Sequence, residues 1–506
     1  MAAATLRLRI HLLGASALLA YVLLALLSYV HTPALWSQEE APRAIGFFDA
    51  LAGPLPVIGS YRQLTVEAVI ATYWSLLAVA STAAMLVSFL LMRAAQALDK
   101  SVFKATFRWS LAFALACALS YPVFTQDFWL SAVWGRMIAS GVNPYYALFG
   151  GAELAGLPLD HFPMVMSYGP LWGLASAAVA AVAHGNLWLT AILFKALLAV
   201  AWIGSLVVVA KITAAKPILD RCLAVTLFGW LPAGVSQTLA EGHNDIGMVA
   251  LGLLWLLLLQ RADWRAPIAL VASILCKYVT APLFLIDAIH ELRRGPPAWG
   301  KFFLRLVAPA LLGLSILAVF YRSPAFFDGL RVISSWHFLQ PRDAVTALEF
   351  LSGASLLPIT IAATFVFPLL AAYHLAVCLW SPTITSLQKS AVAIMAAVMF
   401  AGISHLWPWY VIWGLALAVI VPTWWLSRFV VGVALLVPFT IASWWLDPFA
   451  HHREVAALAM YVGAALWTLA TRGAVAMPSP AMNVHSSFGA SANVRVPPDG
   501  LFTRQL

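Results

Sequence analysis

The sequence predicts an all-α, polytopic membrane protein of about twelve to fourteen transmembrane helices. Hydrophobic residues make up 63% of the 506 residues and charged residues only 10%, and the mean hydropathy is +0.90. Soluble domains use roughly 45–50% apolar residues. This chain therefore lacks the polar surface that a globular protein in water requires, and the bilayer is its main solvent.

Apolar runs close to the length of a bilayer-spanning helix recur along the chain. The predicted spans are 10–30, 66–92, 109–123, 168–184, 187–210, 222–240, 246–260, 266–290 (with a possible break), 303–321, 359–380, 390–404, 411–427, 429–446 and 455–471. The first run is long and no clean cleavage site follows it, so we interpret it as a retained helix rather than a signal peptide. We expect a single transmembrane domain over 1–476 and a disordered tail over 477–506, which is rich in Ser, Pro, Asn and Gly.

The net charge of +9 is spread over short basic clusters between the spans, which is typical of cytoplasmic loops and does not indicate a nucleic-acid surface. This bias predicts that residues 93–108, 261–265 and 290–305 face the cytoplasm. Asp127, the Glu241–Asp245 turn, the 322–346 loop and the 405–410 turn then face outward. One conflict remains, because two full crossings at 168–184 and 187–210 would place Lys211 outside; either one segment is re-entrant or the rule fails locally.

Asp127 follows a predicted span and lies near the start of the segment 123–166, which mixes aromatic and charged residues with Gly and Pro. This composition predicts an interfacial helix followed by a loop on the outer leaflet. Ionisable groups near membrane depth are costly and indicate function. We therefore predict Asp127 as a catalytic general base; the alternative is a solvated loop acid or a helix cap.

Two further polar features interrupt apolar sequence. The turn Glu241-Gly-His-Asn-Asp245 precedes a run that is short for a full span, so it is predicted to lie below the membrane surface; an ordinary polar turn is the alternative. Lys277 lies inside 266–290, near Pro282, and needs an anionic partner such as Asp245 or a lipid phosphate. Snorkelling of Lys277 to an interface is the other possibility.

The basic residues Arg322, Arg331 and His337 lie in the second outer loop and are candidates for holding a phosphate. Single basic residues in such loops are usually only solvated. The four cysteines lie in or beside apolar stretches without the spacing of a zinc site or a disulfide framework.

Five ordered motifs over about residues 120–415 carry a resemblance to a known family. They are Asp127-Phe-Trp through Gly141-Val-Asn-Pro-Tyr-Tyr146, Ser167-Tyr-Gly-Pro-Leu-Trp172, Gly242-His-Asn-Asp245, Cys276-Lys-Tyr278, and Trp407-Pro-Trp-Tyr-Val-Ile-Trp413. Together they resemble the GT-C superfamily of membrane glycosyltransferases. Within it they are most similar to the polyprenyl-phosphomannose-dependent alpha-1,6-mannosyltransferases of bacteria. Each motif alone is weak, whereas five in order are specific.

This resemblance implies an inverting hexosyltransferase of the plasma membrane, with mannose the expected sugar. Its donor would be a polyprenyl-phosphate sugar, its acceptor a lipid or glycan, and its active site would face outward. It assigns the catalytic carboxylate to Asp127 and donor binding to His243, Asn244, Asp245 and Lys277, and Tyr168 and Trp409 lie in matched motifs as further substrate-binding candidates. Two extra spans precede the first outer loop, which departs from the family pattern. Some members use a divalent metal; the sequence shows no carboxylate cage, so no cofactor is predicted.

A transporter or flippase for a lipid-linked sugar is the alternative function. Transporters are usually built from internal repeats and discontinuous helices, and no clear repeat is visible in this sequence. A structural subunit of an envelope-building complex is a third alternative, which would make no demand on Asp127 or Lys277.

Overall fold

The computed structural model describes residues 3–35, 65–150, 164–292, 300, 303–441 and 451–475, and within them every extended regular element is a helix. The predicted all-α polytopic class is confirmed. The predicted tail 477–506 and residues 151–163 of the first outer segment lie outside the described residues. The described residues up to Val475 pack as one unit.

In chain order the described α-helices are α1 (Ala3–Leu35), α2 (Val66–Arg93), α3 (Lys100–Ala118), α4 (Asp127–Ala139), α5 (Pro170–Ala183), α6 (Leu187–Ile212), α7 (Ile218–Gly229), α8 (Pro232–Val235), α9 (Asp245–Gln260), α10 (Ala266–Cys276), α11 (Phe284–Leu292), α12 (Ala308–Phe320), α13 (Asp328–Ser334), α14 (Pro341–Ser352), α15 (Leu357–Trp380), α16 (Ile384–Ala397), α17 (Ile412–Ala418), α18 (Trp425–Leu436) and α19 (His452–Val475). Short 3₁₀ or π turns extend several of them, including Ser236–Ala240 after α8 and Tyr278–Leu283 after α10.

The number of helices that can cross a bilayer is smaller than the sequence predicts. Among the described residues seven helices are long and apolar enough, or eight if α7 and the bent segment Pro232–Ala240 count as one span. Five predicted crossings are apolar helices of only 10–17 residues. A helix rises 1.5 Å per residue, so one of this length falls short of a hydrocarbon core of about 30 Å. Hydropathy cannot distinguish such a buried helix from a span.

The long helices expose apolar side chains, whereas polar groups lie inside. Val200 on α6, Val319 on α12 and Leu369 on α15 are exposed, as expected of surfaces that meet lipid tails. The charged side chains Glu241 and Asp245 are buried. This inside-out distribution is the physical signature of a protein that folds in a bilayer.

The helix predicted after Asp127 is present as α4, but nine of its 13 residues are buried. It packs against α5, and Gly135 allows the close approach. A Cβ at Gly135 would lie 2.3 Å from the carbonyl oxygen of Ser176. The helix therefore packs inside the protein rather than resting on its surface.

Helices α3, α6 and α9 each run between the same two ends of the protein, which we call its two poles. Lys195 on α6 donates to the carbonyl of Ala240, and α9 begins at Asp245, so the N-terminal parts of both helices lie at the pole of Asp127. Lys211 and Arg261 end these two helices at the other pole. The 14-residue α5 is too short to cross, which removes the conflict over Lys211.

Candidate active site

The five sequence motifs converge at one pole of the helix bundle. Asp127 is the first residue of α4, and Asp245 is the first residue of α9, with His243 two positions before it. Lys277 directly follows α10, and Trp409 lies just before α17. These positions are separated by up to 282 residues in the sequence, yet the contacts described below join them into a single cluster.

Asp127 and His243 form the more accessible half of this cluster. Nδ1 of His243 lies 3.2 Å from Oδ2 of Asp127, and the exposed fractions of the two side chains are 0% and 25%. The imidazole stacks on the indole of Trp409 with ring centroids 3.8 Å apart and planes inclined by 15°. Asp127 can therefore be reached from outside, while His243 is fixed behind it.

The surroundings of Asp127 favour its ionised form. Burial raises the pKa of the carboxyl, but hydrogen bonding to His243, the charges of His243 and Lys277, and hydrogen bonding to Tyr168 lower it, and the net pKa lies below the ordinary value. A neighbouring cation and hydrogen bonds to the charged form both stabilise a carboxylate. Asp127 is thus ready to accept a proton at neutral pH.

Asp245 and Lys277 form the inner half of the cluster. Nζ of Lys277 donates to Oδ1 of Asp245 over 2.8 Å, with exposed fractions of 10% and 0%. Nε1 of Trp413 donates to the same carboxylate oxygen. The sequence suggested two partners for Lys277, a carboxylate such as Asp245 or a lipid phosphate. In the structure, Lys277 pairs with the carboxylate of Asp245.

Aromatic rings surround the ammonium of Lys277. Its Nζ lies 5.3 Å from the ring centroid of Tyr168, 4.5 Å from that of Tyr410 and 5.1 Å from that of Trp413. Ring faces attract cations, the more so where water is excluded. The cage holds Lys277 in place without neutralising its charge.

The Glu241–Asp245 turn is buried, as the sequence predicted from the short run after it. Gly242 has a φ of +78°, and a Cβ there would lie 2.5 Å from Cδ2 of Phe128, so glycine is required for both backbone conformation and space. Oε2 of Glu241 accepts hydrogen bonds from the backbone N–H groups of Val123 (3.0 Å) and Phe124 (2.9 Å). Glu241 thereby ties the start of the Asp127 segment to the His243 turn.

The Gly141–Tyr146 motif connects the site to its surroundings. The hydroxyl of Tyr145 donates to the carbonyl of Tyr168 over 2.7 Å, and the amide of Asn143 donates to the carbonyl of Phe320 over 2.9 Å. The hydroxyl oxygen of Tyr146 accepts from the backbone N–H of Arg322 over 2.6 Å. The motif therefore anchors the 322–346 loop beside the cluster.

The structure does not bring the three basic candidates of that loop into contact with the cluster. Arg322 and Arg331 are exposed, and Nη1 of Arg331 pairs with Oδ1 of Asp328 over 2.6 Å. His337 is also exposed and acts electrostatically on His405, which burial gives a lowered pKa of about 4. Their predicted role in binding phosphate has no direct support from these contacts.

Three contributors to the site were not predicted as site residues from the sequence, namely Glu241, Tyr410 and Trp413. All three lie within motifs that the sequence makes conspicuous, but their contacts depend on the tertiary fold. In the ranges that the structure describes, no group of three or more His, Cys, Asp or Glu side chains is placed to hold a metal ion.

A family model described as the N-terminal domain of alpha-(1->6)-mannopyranosyltransferase matches residues 47–320. The match covers more than half of the 506 residues and includes Asp127, the 241–245 turn and Lys277. The chain belongs to this family. It is therefore a mannosyltransferase, a membrane glycosyltransferase as its motifs implied. No curated protein and no solved structure matches the chain.

The family match ends before the aromatic residues that complete the candidate site. Trp409, Tyr410 and Trp413 lie beyond residue 320, yet Trp409 stacks on His243, and Tyr410 and Trp413 enclose Lys277. The C-terminal helices therefore complete a site whose charged groups all lie in the matched region.

Proposed function

We propose that this mannosyltransferase moves mannose from a polyprenyl-phosphate donor to a hydroxyl of a lipid or glycan acceptor, with Asp127 as general base. The acceptor oxygen attacks the anomeric carbon, and its proton passes to Asp127. The bond between that carbon and the phosphate oxygen breaks, and polyprenyl phosphate leaves with the bonding electron pair. The observation that carries the proposal is the partly exposed carboxylate of Asp127, held 3.2 Å from the buried imidazole of His243.

Of the two Asp side chains in the described cluster, Asp127 and Asp245, only Asp127 is accessible, which favours inversion. A retaining mechanism with a covalent intermediate needs a second carboxylate as nucleophile, and the Asp245 carboxylate is buried and occupied by Lys277 and Trp413. Since the family forms an alpha linkage, inversion requires a beta-linked donor. The mannosyltransferase should therefore use the beta anomer of the lipid donor and reject the alpha anomer.

The inner half of the cluster is suited to the departing phosphate, whose negative charge grows in the transition state. An ammonium has three donors, and one of those on Lys277 is given to Asp245. A buried donor nearby, Nε1–H of Trp409, has no hydrogen-bond partner in the described part of the chain. Such atoms are rare unless a ligand uses them.

Replacing Asp127 by Asn tests the base. In membranes supplied with a radiolabelled polyprenyl-phosphate mannose donor, we expect transfer to fall at least a hundredfold, because a general base contributes about 10²- to 10⁴-fold. Asp263→Asn is the matched control, since Asp263 pairs with Arg265 at the other pole. Transfer by Asp127→Asn within twofold of wild type would remove Asp127 from this role.

We also propose that the active site faces away from the cytoplasm. The basic cluster that starts α3, with Lys100 and Lys104, lies at the pole opposite Asp127, and such clusters mark cytoplasmic ends. All four cysteines are buried, so introduced cysteines can be labelled selectively. Ser140→Cys, at the exposed end of α4, should react with a membrane-impermeant maleimide in intact cells, and Ala262→Cys only after permeabilisation; the reverse pattern would place the site inside.

A further inference from the structure

A cavity of about 860 Å³ lies far from Asp127 and has a strongly basic lining. Four of its lining side chains are cationic, Lys216, Lys389, Arg428 and Arg472, and one is acidic, Asp220. At neutral pH this gives a formal excess of three positive charges. The mannosyl-transfer site described above uses none of these residues.

The cavity lies where three bilayer-length helices end. Lys216 lies four residues beyond the end of α6, Lys389 is in the second turn of α16, and Arg472 is in the last turn of α19. All three helices belong to the set that can span a membrane. The C-terminal end of α6 is the pole opposite Asp127, so the cavity opens at the other membrane boundary.

Three of the four cations contact neutral groups. Nζ of Lys216 donates to Oε1 of Gln388 over 2.8 Å and to the carbonyl of Ile420 over 2.6 Å. Nη2 of Arg428 donates to the carbonyl of Thr423 over 2.6 Å, and Nζ of Lys389 lies 5.8 Å from the ring centroid of Trp424. None of the four forms an ion pair within the described ranges of the chain. The fold therefore gathers four positive charges around a shared space in which Asp220, beside Lys216, is the one acidic lining side chain.

We propose that this cavity binds the phosphate group of an anionic phospholipid. Paired guanidinium groups match phosphate oxygens, and lysine adds a point charge. Basic pockets between helices at a membrane boundary recognise lipid head groups in this way. The lining also includes Trp424, Trp425 and Leu469, and Leu469 is exposed. This apolar side gives the acyl chains a path from the head group into the bilayer, which free phosphate would not need.

The test uses the full-length protein in nanodiscs of phosphatidylcholine with or without phosphatidylglycerol. The variants are Arg428→Gln/Arg472→Gln and the matched control Arg265→Gln, at an exposed arginine of the same pole. Native mass spectrometry after extraction into detergent measures retained phosphatidylglycerol, and the thermal unfolding midpoint checks folding. Binding of inorganic phosphate alone is measured in parallel by calorimetry.

We expect the double variant to bind phosphatidylglycerol about thirtyfold more weakly than wild type, since each basic residue near anionic lipid contributes roughly a fivefold change in affinity. The control should bind as wild type does. Equal lipid retention by the folded double variant and wild type would overturn the site. Displacement of the lipid by millimolar inorganic phosphate would overturn its assignment to a lipid. Neither result depends on Asp127, so the outcome is separate from that of the proposed transfer reaction.

Discussion

Nδ1 of His243 lies 3.2 Å from Oδ2 of Asp127, and the His243 ring is itself stacked on the indole of Trp409. Asp127, the proposed base, is therefore held by a residue 116 positions later in the chain, which also lowers the pKa of its carboxyl. In a bilayer, where an isolated carboxylate is costly, this contact keeps Asp127 ionised and aimed at the accessible side.

Replacing His243 by Ala should shift the pH dependence of transfer. His243 lowers the pKa of Asp127 against the effect of burial, so its removal raises that pKa. The base is then protonated at a higher pH, and the acid limb of kcat/KM moves to higher pH. We also expect a loss of about a hundredfold in kcat from misplacement of the base.

Steady-state rates between pH 4 and 8 measure this shift. His243→Gln is the matched variant, because its amide keeps a donor without a charge and should restore part of kcat while leaving the acid limb displaced. An unchanged acid limb in His243→Ala would show that another group titrates.

The pair Asp245–Lys277 predicts a rescue of stability by a second mutation. Asp245→Asn keeps an acceptor for Trp413 but leaves the buried ammonium of Lys277 unpaired. Breaking a buried pair at one partner costs about 3–5 kcal/mol, whereas replacing both partners is often nearly neutral. Asp245→Asn/Lys277→Met should therefore unfold close to the wild-type temperature.

Thermal unfolding of the purified variants in one detergent measures this coupling. Lys277→Met alone is the reciprocal single variant. Additive effects of the two mutations would mean that the ion pair contributes nothing to folding, and full activity of the double variant would exclude Lys277 from donor binding.

The charged members of the cluster are conspicuous in the sequence because charges are rare in this chain. Asp127, His243, Asp245 and Lys277 each interrupt apolar sequence, and the cost of burying such groups makes them conspicuous. The same cost predicts an anion beside Lys277, either a carboxylate such as Asp245 or a lipid phosphate. The all-α membrane class follows from hydropathy alone.

The remaining features depend on tertiary packing. The aromatic residues Tyr410 and Trp413 resemble many others in a chain with 12% aromatic content, and only the fold places them around Lys277. Arg322 and Arg331 appear equally suited to phosphate in sequence, but they are exposed and outside the cluster. Shorter helices such as α9 and α10 are predicted as spans because high hydropathy indicates only that a segment avoids water. It does not indicate whether protein or lipid surrounds the segment.

Glu241 should affect transfer indirectly, by holding the backbone of Val123 and Phe124 in place. Burial raises the pKa of its carboxyl to about 7, although the N–H groups of Phe124 and Val123 and the charge of Lys195 oppose this. Glu241→Gln keeps an acceptor oxygen and should retain transfer within about tenfold. Glu241→Ala leaves two buried N–H groups unpaired, at about 1–3 kcal/mol each, and should lose both stability and transfer.

The raised pKa of Glu241 also predicts the pH dependence of folding. Its folded-state pKa exceeds the unfolded value, so the stability that it contributes is complete below about pH 4.5 and is lost as the pH rises through about 7. The unfolding midpoint of wild type should fall between pH 5 and 8 relative to that of Glu241→Gln, whose amide does not titrate. Parallel profiles for the two proteins would contradict this assignment.

Gly169 should be sensitive to the addition of a single methyl group. Its N–H donates to the carbonyl of Cys276 over 2.9 Å, and a Cβ at Gly169 would lie 2.1 Å from the carbonyl oxygen of Leu275. These backbones place Tyr168 beside Lys277, so Gly169→Ala must push the start of α5 away from α10. We expect a loss of about 1–3 kcal/mol from overpacking, together with a loss of transfer.

Gly204→Ala provides the matched control for Gly169→Ala. Gly204 lies inside α6 with no other atom within 4 Å of an added Cβ, so the substitution should be neutral or raise the free energy of unfolding by about 0.5–1 kcal/mol. Thermal unfolding and transfer are measured for both variants. If Gly169→Ala and Gly204→Ala behave alike, the close approach of α5 and α10 does not position Tyr168 and Lys277.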